Sequence, residues 1–266
     1  MRAGFAALFI LLCLCAPARA GGLLSLGSSQ DGRDWDAVGR IEIEGRAFCT
    51  GALIAPDLVL TAAHCLYDAE TGAQVPAEHM QFRAGWRSGR AAAYRYVRRA
   101  LHLPDFVYTA PSDAHRVRHD VALLELQHPI RNTRIVPFAT DRRPDAGDRI
   151  GVVSYAHDRP EAPSLQEMCE VIARQEGVVV MSCTVDFGSS GSPVFSFASG
   201  DPRIVSVVSA KAEAGGAPVS LGIGLDGPVE QLRAELDRVR AETALPGTRS
   251  VAAGTRVETG AKFIRP

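Results

Sequence analysis

Short runs of alternating or continuous apolar residues dominate the chain from about residue 41 to residue 209. Residues 41–44 alternate between Ile and Glu, as a half-buried strand does, and residues 121–126 are nearly all apolar, as in a buried strand. The pattern predicts further strands over 52–54, 58–60, 94–103, 150–154, 169–173, 178–183, 194–197 and 204–209. Many short strands separated by turn residues, with few helices, are typical of an antiparallel β-barrel or β-sandwich.

One stretch near the C-terminus has the period of a helix instead. Its apolar positions recur at spacings of three and four, with charged residues between them: Val229, Leu232, Leu236 and Val239. The spacing predicts an amphipathic helix over residues 228–243, which a following Pro-Gly pair ends. The polar residues 246–266 lack periodicity and are interpreted as a flexible tail.

The N-terminus has the three-part pattern of a secretory signal peptide. Arg2 precedes an apolar run over residues 3–15, and small residues then stand at Ala18 and Ala20. The run of about 13 residues is shorter than the ~20 that span a bilayer, which argues against a membrane anchor. We therefore predict cleavage after Ala20, so that residues 1–20 are lost from a secreted protein, extracellular or periplasmic, with no membrane contact.

Composition excludes several classes of protein. Hydrophobic residues make up 46% and charged residues 22%, close to globular averages, which excludes wholesale disorder. Lys plus Arg total 29 against 30 Asp plus Glu, so the basic excess that marks nucleic-acid-binding proteins is missing. The length of 266 residues allows one large domain or two small ones. The polar stretch 141–148 is the best linker candidate, between halves at 36–141 and 148–226.

Six arginines make residues 83–99 locally basic. Two interpretations of this segment stay open, a solvated strand face and a surface that binds a polyanion.

Four cysteines remain once the signal peptide is removed: Cys49, Cys65, Cys169 and Cys183. An even number in an oxidising compartment indicates two disulfides, for which three pairings are possible. No Cys-x-x-Cys pair and no Cys/His spacing of a zinc site occurs in the sequence, so no metal is expected.

Three local motifs carry the candidate chemistry. They are Leu60-Thr61-Ala62-Ala63-His64-Cys65, His119-Asp120-Val121-Ala122-Leu123-Leu124 and Gly188-Ser189-Ser190-Gly191-Ser192-Pro193. In this order and spacing they resemble the motifs of chymotrypsin/trypsin-like serine proteases, and the third is more similar to the bacterial, glutamyl-endopeptidase-like branch. The resemblance runs from about residue 38 to residue 242. It implies an all-β fold of two antiparallel six-stranded Greek-key β-barrels followed by a C-terminal helix.

The resemblance also implies a role for each motif residue. Ser190 is the expected nucleophile, His64 its general base and Asp120 the acid that orients His64. The chemistry needs these types, because a serine hydroxyl is a weak nucleophile until a base of near-neutral pKa lies within hydrogen-bond reach. The N–H groups of Gly188 and Ser190 would form the oxyanion hole, since glycines let the backbone turn amides toward one point.

The resemblance further implies three residues at the pocket for the residue before the scissile bond: Thr184, Ser209 and Lys211. Thr184 would place a neutral group at the base of the pocket, and the Lys211 ammonium at its edge would attract an acidic side chain. Two alternatives stay open: Lys211 directed to solvent, or Asp186 as an acid in the pocket. We predict weak cleavage after Arg or Lys, with acidic or small residues preferred.

The sequence departs from trypsins at the position before the nucleophile. Trypsins carry there an Asp that pairs with a newly released N-terminus, whereas this chain has Ser189. Activation by insertion of a new N-terminus is therefore not expected. The same resemblance implies a Cys49–Cys65 disulfide, which leaves Cys169 and Cys183 as the second pair.

The leading interpretation is a secreted serine endopeptidase without cofactor, acting as a monomer on protein or peptide substrates through an acyl-enzyme. The alternative is a catalytically silent relative that uses the same fold for binding or regulation. A secreted esterase has no specific motif in its favour. An α/β-hydrolase is excluded because its chain order is Ser, acid, His, whereas here the order is His, Asp, Ser.

Overall fold

The computed structural model describes residues 22–28, 30–45, 47–111, 113–142 and 144–244. The predicted signal peptide and the predicted tail over 246–266 lie outside these residues. The strands are β1 (Leu23–Ser25), β2 (Val38–Ile43), β3 (Ala47–Ala55), β4 (Leu58–Thr61), β5 (Met80–Ala84), β6 (Ala93–His102), β7 (Ala122–Leu126), β8 (Arg149–Ala156), β9 (Arg159–Gln175), β10 (Val178–Met181), β11 (Pro193–Ser196), β12 (Arg203–Ala214) and β13 (Ala217–Gly224). The α-helices are α1 (Ala114–His119) and α2 (Pro228–Ala244).

Strands β2 to β7 close into a six-stranded barrel in the order β2-β3-β4-β7-β6-β5. Every neighbouring pair is antiparallel. The alternating residues of β5 place Met80, Phe82 and Ala84 in the core and leave the residues between them partly exposed. Strand β7 is buried along its whole length, as its continuous apolar pattern predicts.

Strands β8 to β13 form a second six-stranded barrel in the order β8-β9-β10-β13-β12-β11, closed by antiparallel pairing of β11 with β8. The short β1 adds to the edge of β9. The two barrels confirm the predicted fold class and exclude the β-sandwich. Sequence patterns did not predict β1, β5, β13 or α1, whereas every predicted strand falls within or overlaps an observed one.

The C-terminal helix α2 packs on the first barrel, although it follows the second barrel in the chain. Its apolar face buries Val229, Leu232 and Leu236, as the helical spacing predicts. Arg240 on the same helix lies 2.8 Å from Asp57 and 2.9 Å from Glu125, both in the first barrel. Within the described segments, no helix is long and apolar enough to cross a membrane.

The segment between β7 and β8 runs from 127 to 148 and connects the two barrels. Its Phe138 packs on Trp35 and Phe195, with ring centroids 5.8 and 4.7 Å away respectively. All three rings are buried, so the segment that connects the barrels is anchored in the core.

Candidate active site

His64 and Asp120 lie side by side at one end of the first barrel. His64 is in a 3-10 turn, Ala63–Leu66, that begins two residues after the end of β4, and Asp120 lies two residues before the start of β7. Because β4 pairs with β7, the two loops emerge next to each other. Asp120 Oδ2 lies 2.7 Å from His64 Nδ1, and the His64 backbone N–H donates to Asp120 Oδ1 over 2.8 Å. Two contacts thus fix the orientation of the imidazole.

Asp120 is buried, and a third donor reaches it from the second barrel. The hydroxyl of Ser209 on β12 donates a hydrogen bond to Asp120 Oδ2. Burial favours the neutral carboxyl, but the His64 imidazole and the hydrogen bonds from His64 and Ser209 together outweigh burial and lower the pKa of Asp120. Asp120 is therefore a carboxylate at neutral pH.

The loop that carries Ser190 approaches the first barrel through glycines. Gly191 has φ +76°, and a Cβ there would lie 2.1 Å from Thr61 Oγ1 and 3.0 Å from the Ala62 nitrogen. Gly188 has φ +92°, and a Cβ there would lie 2.6 Å from the Phe48 ring. Both positions need glycine for conformation and for space. Ser190 thereby lies one residue from a tight contact with the segment that leads into His64.

Thr50 connects this loop to the first barrel. The fully buried residue donates its backbone N–H to the Ser190 carbonyl over 2.9 Å and its hydroxyl to the Gly188 carbonyl over 2.9 Å. Its hydroxyl also accepts from the Tyr155 N–H at 3.1 Å, and its carbonyl accepts from the Thr61 hydroxyl at 2.9 Å. Thr50 was not predicted as a site residue; the only local signal in the sequence is its place directly after Cys49 in a strand.

The backbone N–H groups of the loop that carries Ser190 form two pairs, one bonded within the protein and one free to donate. Ser189 N–H donates to the Asp186 carbonyl and Gly191 N–H to the Val208 carbonyl, each over 2.9 Å. Between and beside them, the N–H groups of Gly188 and Ser190 meet no acceptor among the residues that the structure describes. Nor does a hydrogen bond join the Ser190 hydroxyl to His64 within those residues. A pair of free amides in such a loop suits a developing negative charge.

Ser189 is fully buried, and its hydroxyl donates to the Tyr155 carbonyl over 3.1 Å. A neutral hydrogen bond to β8 therefore occupies the position where trypsins carry a charged pair.

The three expected pocket residues lie in different environments. The Ser209 hydroxyl is directed at Asp120, so this side chain belongs with the His64–Asp120 pair, a role that the sequence analysis did not assign. Thr184 is exposed, and its N–H donates to Gln166 Oε1 over 2.9 Å. Lys211 contacts Asp186, with Nζ 2.7 Å from Oδ1. The structure thus pairs the two charged candidates with each other.

Both disulfides of the described chain match the expectation. Cys49 is bonded to Cys65, next to His64, and Cys169 to Cys183 at the β9–β10 hairpin. Ligand atoms of Cys49, Cys65 and His64 lie within 4.8 Å of one another, but the two sulfurs are joined to each other. This group therefore offers no thiolate pair to a metal.

Comparison with known proteins assigns the region around the site to a family. A family model described as a trypsin-like peptidase domain matches residues 49–202, more than half of the chain. Human (Homo sapiens) serine protease 23 is 28% identical over 163 residues, which cover 55% of this chain and 42% of that protein. Its cattle (Bos taurus) counterpart is 27% identical over 168 residues, covering 55% and 43%. The match therefore spans less than half the length of these relatives.

Two solved structures share the fold. A structure of a Glu endopeptidase in complex with MPD superimposes with a TM-score of 0.66 at 17% identity, covering 84% of this chain and 98% of that chain. Neuropsin, a serine protease of mouse brain, superimposes with a TM-score of 0.62 at 17% identity, covering 77% and 96%. At these identities the likeness concerns the fold alone.

Proposed function

Because the chain belongs to the trypsin-like peptidase domain family, we propose that it is a secreted serine endopeptidase that cleaves proteins or peptides through an acyl-enzyme. The observation that carries the proposal is the His64–Asp120 pair, with 2.7 Å between Nδ1 and Oδ2, beside a loop whose Gly188 and Ser190 amides are free. A base, an orienting acid and a pair of amide donors are what acyl transfer to a serine needs.

The chemistry begins with the tautomer of His64. The protonated Nδ1 of His64 donates a hydrogen bond to the Asp120 carboxylate. The other ring nitrogen, Nε2, therefore keeps its lone pair and can accept the proton of Ser190. The Ser190 oxygen then attacks the substrate carbonyl carbon, and the carbonyl oxygen becomes an oxyanion. Hydrogen bonds from the Gly188 and Ser190 amides stabilise that oxyanion, each contributing ~3 kcal/mol in the transition state.

The second half of the reaction uses the same groups in reverse. His64 returns its proton to the leaving amine as the peptide bond breaks, which leaves the substrate acyl group on Ser190. A water molecule then gives a proton to His64 and attacks the acyl-enzyme, which releases the carboxylic acid and restores the Ser190 hydroxyl. The hydrogen bond of Ser190 to His64 is expected to form with substrate bound, because such bonds tighten in the Michaelis complex.

Two further features support the finer parts of the proposal. Two disulfides are consistent with an oxidising compartment, extracellular or periplasmic. The Ser189 hydroxyl is already bonded to Tyr155, so the loop needs no charged N-terminus to hold it. The catalytically silent alternative is disfavoured since His64, Asp120 and Ser190 are all present. Action as a monomer stays a prediction.

Covalent labelling with a fluorophosphonate probe tests the proposal, because the probe reacts only with an activated serine. We expect labelling of the wild-type protein and none of Ser190→Ala, while Ser189→Ala remains labelled. A folded wild-type protein that takes no label, or a Ser190→Ala variant that still does, contradicts the assignment. Peptide mapping of the labelled protein would identify the serine that reacts instead.

A further inference from the structure

Four arginines line one cavity away from the residues of the candidate active site. The cavity has a volume of about 390 Å³ and lies between the β5–β6 hairpin and the segment that precedes β2. We call it the arginine cleft, after its charged lining of Arg33, Arg87, Arg90, Arg134 and Asp36. The remaining lining residues are Gly and Ala, so no bulky apolar side chain lines the cleft.

Arg87 is held in place at the back of the cleft. Its guanidinium donates to the backbone carbonyls of Leu26, Gly32 and Gly85 over 2.8, 2.6 and 3.1 Å. It also lies 2.6 Å from Asp36, the one carboxylate in the lining. The single negative charge of the cleft is therefore already matched by the most firmly bound of its four cations.

The other three arginines have no partner for their charge. Arg33, Arg90 and Arg134 are all exposed, and across the described residues their guanidinium groups take part in no hydrogen bond or ion pair. Four cations less one carboxylate leave the lining with a formal charge of about +3. The whole chain carries a formal net charge of −1, so general basicity does not explain this concentration.

The charge continues into a neighbouring cavity of about 620 Å³. This second cavity shares Arg33 and Arg134 with the cleft and adds Arg203, together with Asp34 and Asp201. The two acids make it less positive than the arginine cleft. The shared arginines nevertheless give an extended anion a continuous path from one cavity to the next.

The hairpin that carries Arg87 and Arg90 is fixed by contacts with the second barrel. The N–H groups of Ser88 and Gly89 donate to the carbonyl and the carboxylate of Glu161 over 2.6 and 2.9 Å. The Tyr155 hydroxyl donates to the Trp86 carbonyl over 2.9 Å. The backbone of the cleft is thus ordered before any ligand arrives, which lowers the entropic cost of binding.

We propose that the arginine cleft binds a ligand that carries phosphate or sulfate groups. A guanidinium presents a planar fork of donors that matches tetrahedral oxyanions in a bidentate way, and all four cations of the cleft are Arg rather than Lys. Three free guanidinium groups around one small cavity suit a group with more than one negative charge. The site is separate from Ser190 and does not depend on peptidase activity.

Isothermal titration calorimetry of the full chain with inorganic phosphate, inorganic sulfate and tripolyphosphate tests the proposal. We expect the Arg33→Ala/Arg90→Ala/Arg134→Ala variant to bind each of these anions at least about tenfold more weakly than wild type. Arg149→Ala is the matched control, since Arg149 is exposed in another cavity that Asp148 and Glu167 also line. This control should change the affinity less than about twofold. An Arg→Lys triple variant keeps the charge and is expected to bind with intermediate affinity.

The series also separates the two sources of the ligand. Equal affinity for inorganic phosphate and tripolyphosphate supports a site for a free ion, whereas at least about tenfold tighter binding of tripolyphosphate supports a ligand with several such groups. The proposal is overturned if wild type binds none of the three anions. It is also overturned if the triple Ala variant, with an unchanged unfolding temperature, binds as well as wild type.

Discussion

Lys211 Nζ lies 2.7 Å from Asp186 Oδ1, and the same ammonium stands over the Phe187 ring, 4.5 Å from its centroid. The pair joins the loop that carries Ser190 to strand β12. The hydrogen bond that Lys211 donates is the main cause of the lowered pKa of Asp186. Since both side chains are about half exposed, solvent screens the pair, and each charge becomes available again when its partner is removed.

The first prediction concerns the residue preferred before the scissile bond. With Lys211 and Asp186 paired, neither charge is free to select a charged residue, so we expect a peptide library to show little cleavage after Arg or Lys and a preference for small residues. Lys211→Ala leaves the Asp186 charge unpaired and should raise kcat/KM for basic residues about fivefold. Asp186→Ala should do the same for acidic residues. A wild-type profile dominated by Arg or Lys would falsify this prediction.

The second prediction concerns the proposed catalytic residues. Ser190→Ala, His64→Ala and Asp120→Ala should each lower kcat by about 10⁴-fold with a peptide substrate. Ser189→Ala removes only neutral hydrogen bonds, one to the Tyr155 carbonyl and a longer one from the Asp186 N–H, so it should retain most of the activity. The unfolding temperature of each variant serves as the control for folding. Near-normal turnover by Ser190→Ala, with loss in Ser189→Ala, would move the nucleophile to Ser189.

The third prediction concerns Thr50. Thr50→Val keeps the shape of the side chain but leaves the Gly188 carbonyl and the Tyr155 N–H unpaired in a buried site. We expect a loss of about 1–3 kcal/mol in the free energy of unfolding. Because the Gly188 amide would also lose its fixed position, kcat should fall more than KM rises.

Thr50→Ser is the matched control, since it keeps the hydroxyl and loses only a methyl group. It should recover most of both the stability and the kcat that Thr50→Val loses. If Thr50→Val lowers stability and leaves kcat unchanged, Thr50 is structural and does not position the loop.

The fourth prediction uses the lowered pKa of Asp120. A carboxyl whose pKa is lower in the folded than in the unfolded state stabilises the fold above the unfolded-state pKa, and this contribution is lost as pH falls through the folded-state value. Wild type should therefore have a larger unfolding free energy than Asp120→Asn. This difference should be at its full value above about pH 4 and should shrink below that pH. Denaturant titrations of both proteins from pH 7 to acid measure this difference. A difference that does not change with pH would show that His64 and Ser209 do not favour the ionised form.

The sequence was sufficient for those features that depend on local pattern. Alternation at Ile41 and Ile43 predicted part of β2, the spacing of Val229 and Leu232 predicted α2, and three short motifs identified the candidate catalytic residues. Strand β13 was missed although Val219, Leu221 and Ile223 alternate, because its Pro and Gly residues weaken a strand pattern.

Features that depend on distant segments were not predictable in this way. The Ser209 hydroxyl meets Asp120 across 89 positions of sequence, and the Thr50 hydroxyl meets the Gly188 carbonyl across 138. A hydrogen bond between remote segments leaves no periodic signal, since one polar residue in a buried strand has many possible partners. For the same reason, the sequence did not predict the Lys211–Asp186 pair, and two interpretations of the pocket stayed open.

The position of α2 has a consequence for the order in which the chain is made. The first barrel leaves the ribosome about a hundred residues before the helix that covers its apolar face at Leu232 and Leu236. Until Arg240 follows, Glu125 has Arg99 as its neighbour but lacks the second cation that reaches it from the helix. Throughout the synthesis of the second barrel, the emerging chain therefore exposes the apolar surface that α2 later covers, and Glu125 lacks its second cationic partner. The outer surface of the first barrel is therefore complete only once α2, the last helix that the structure describes, has been synthesised.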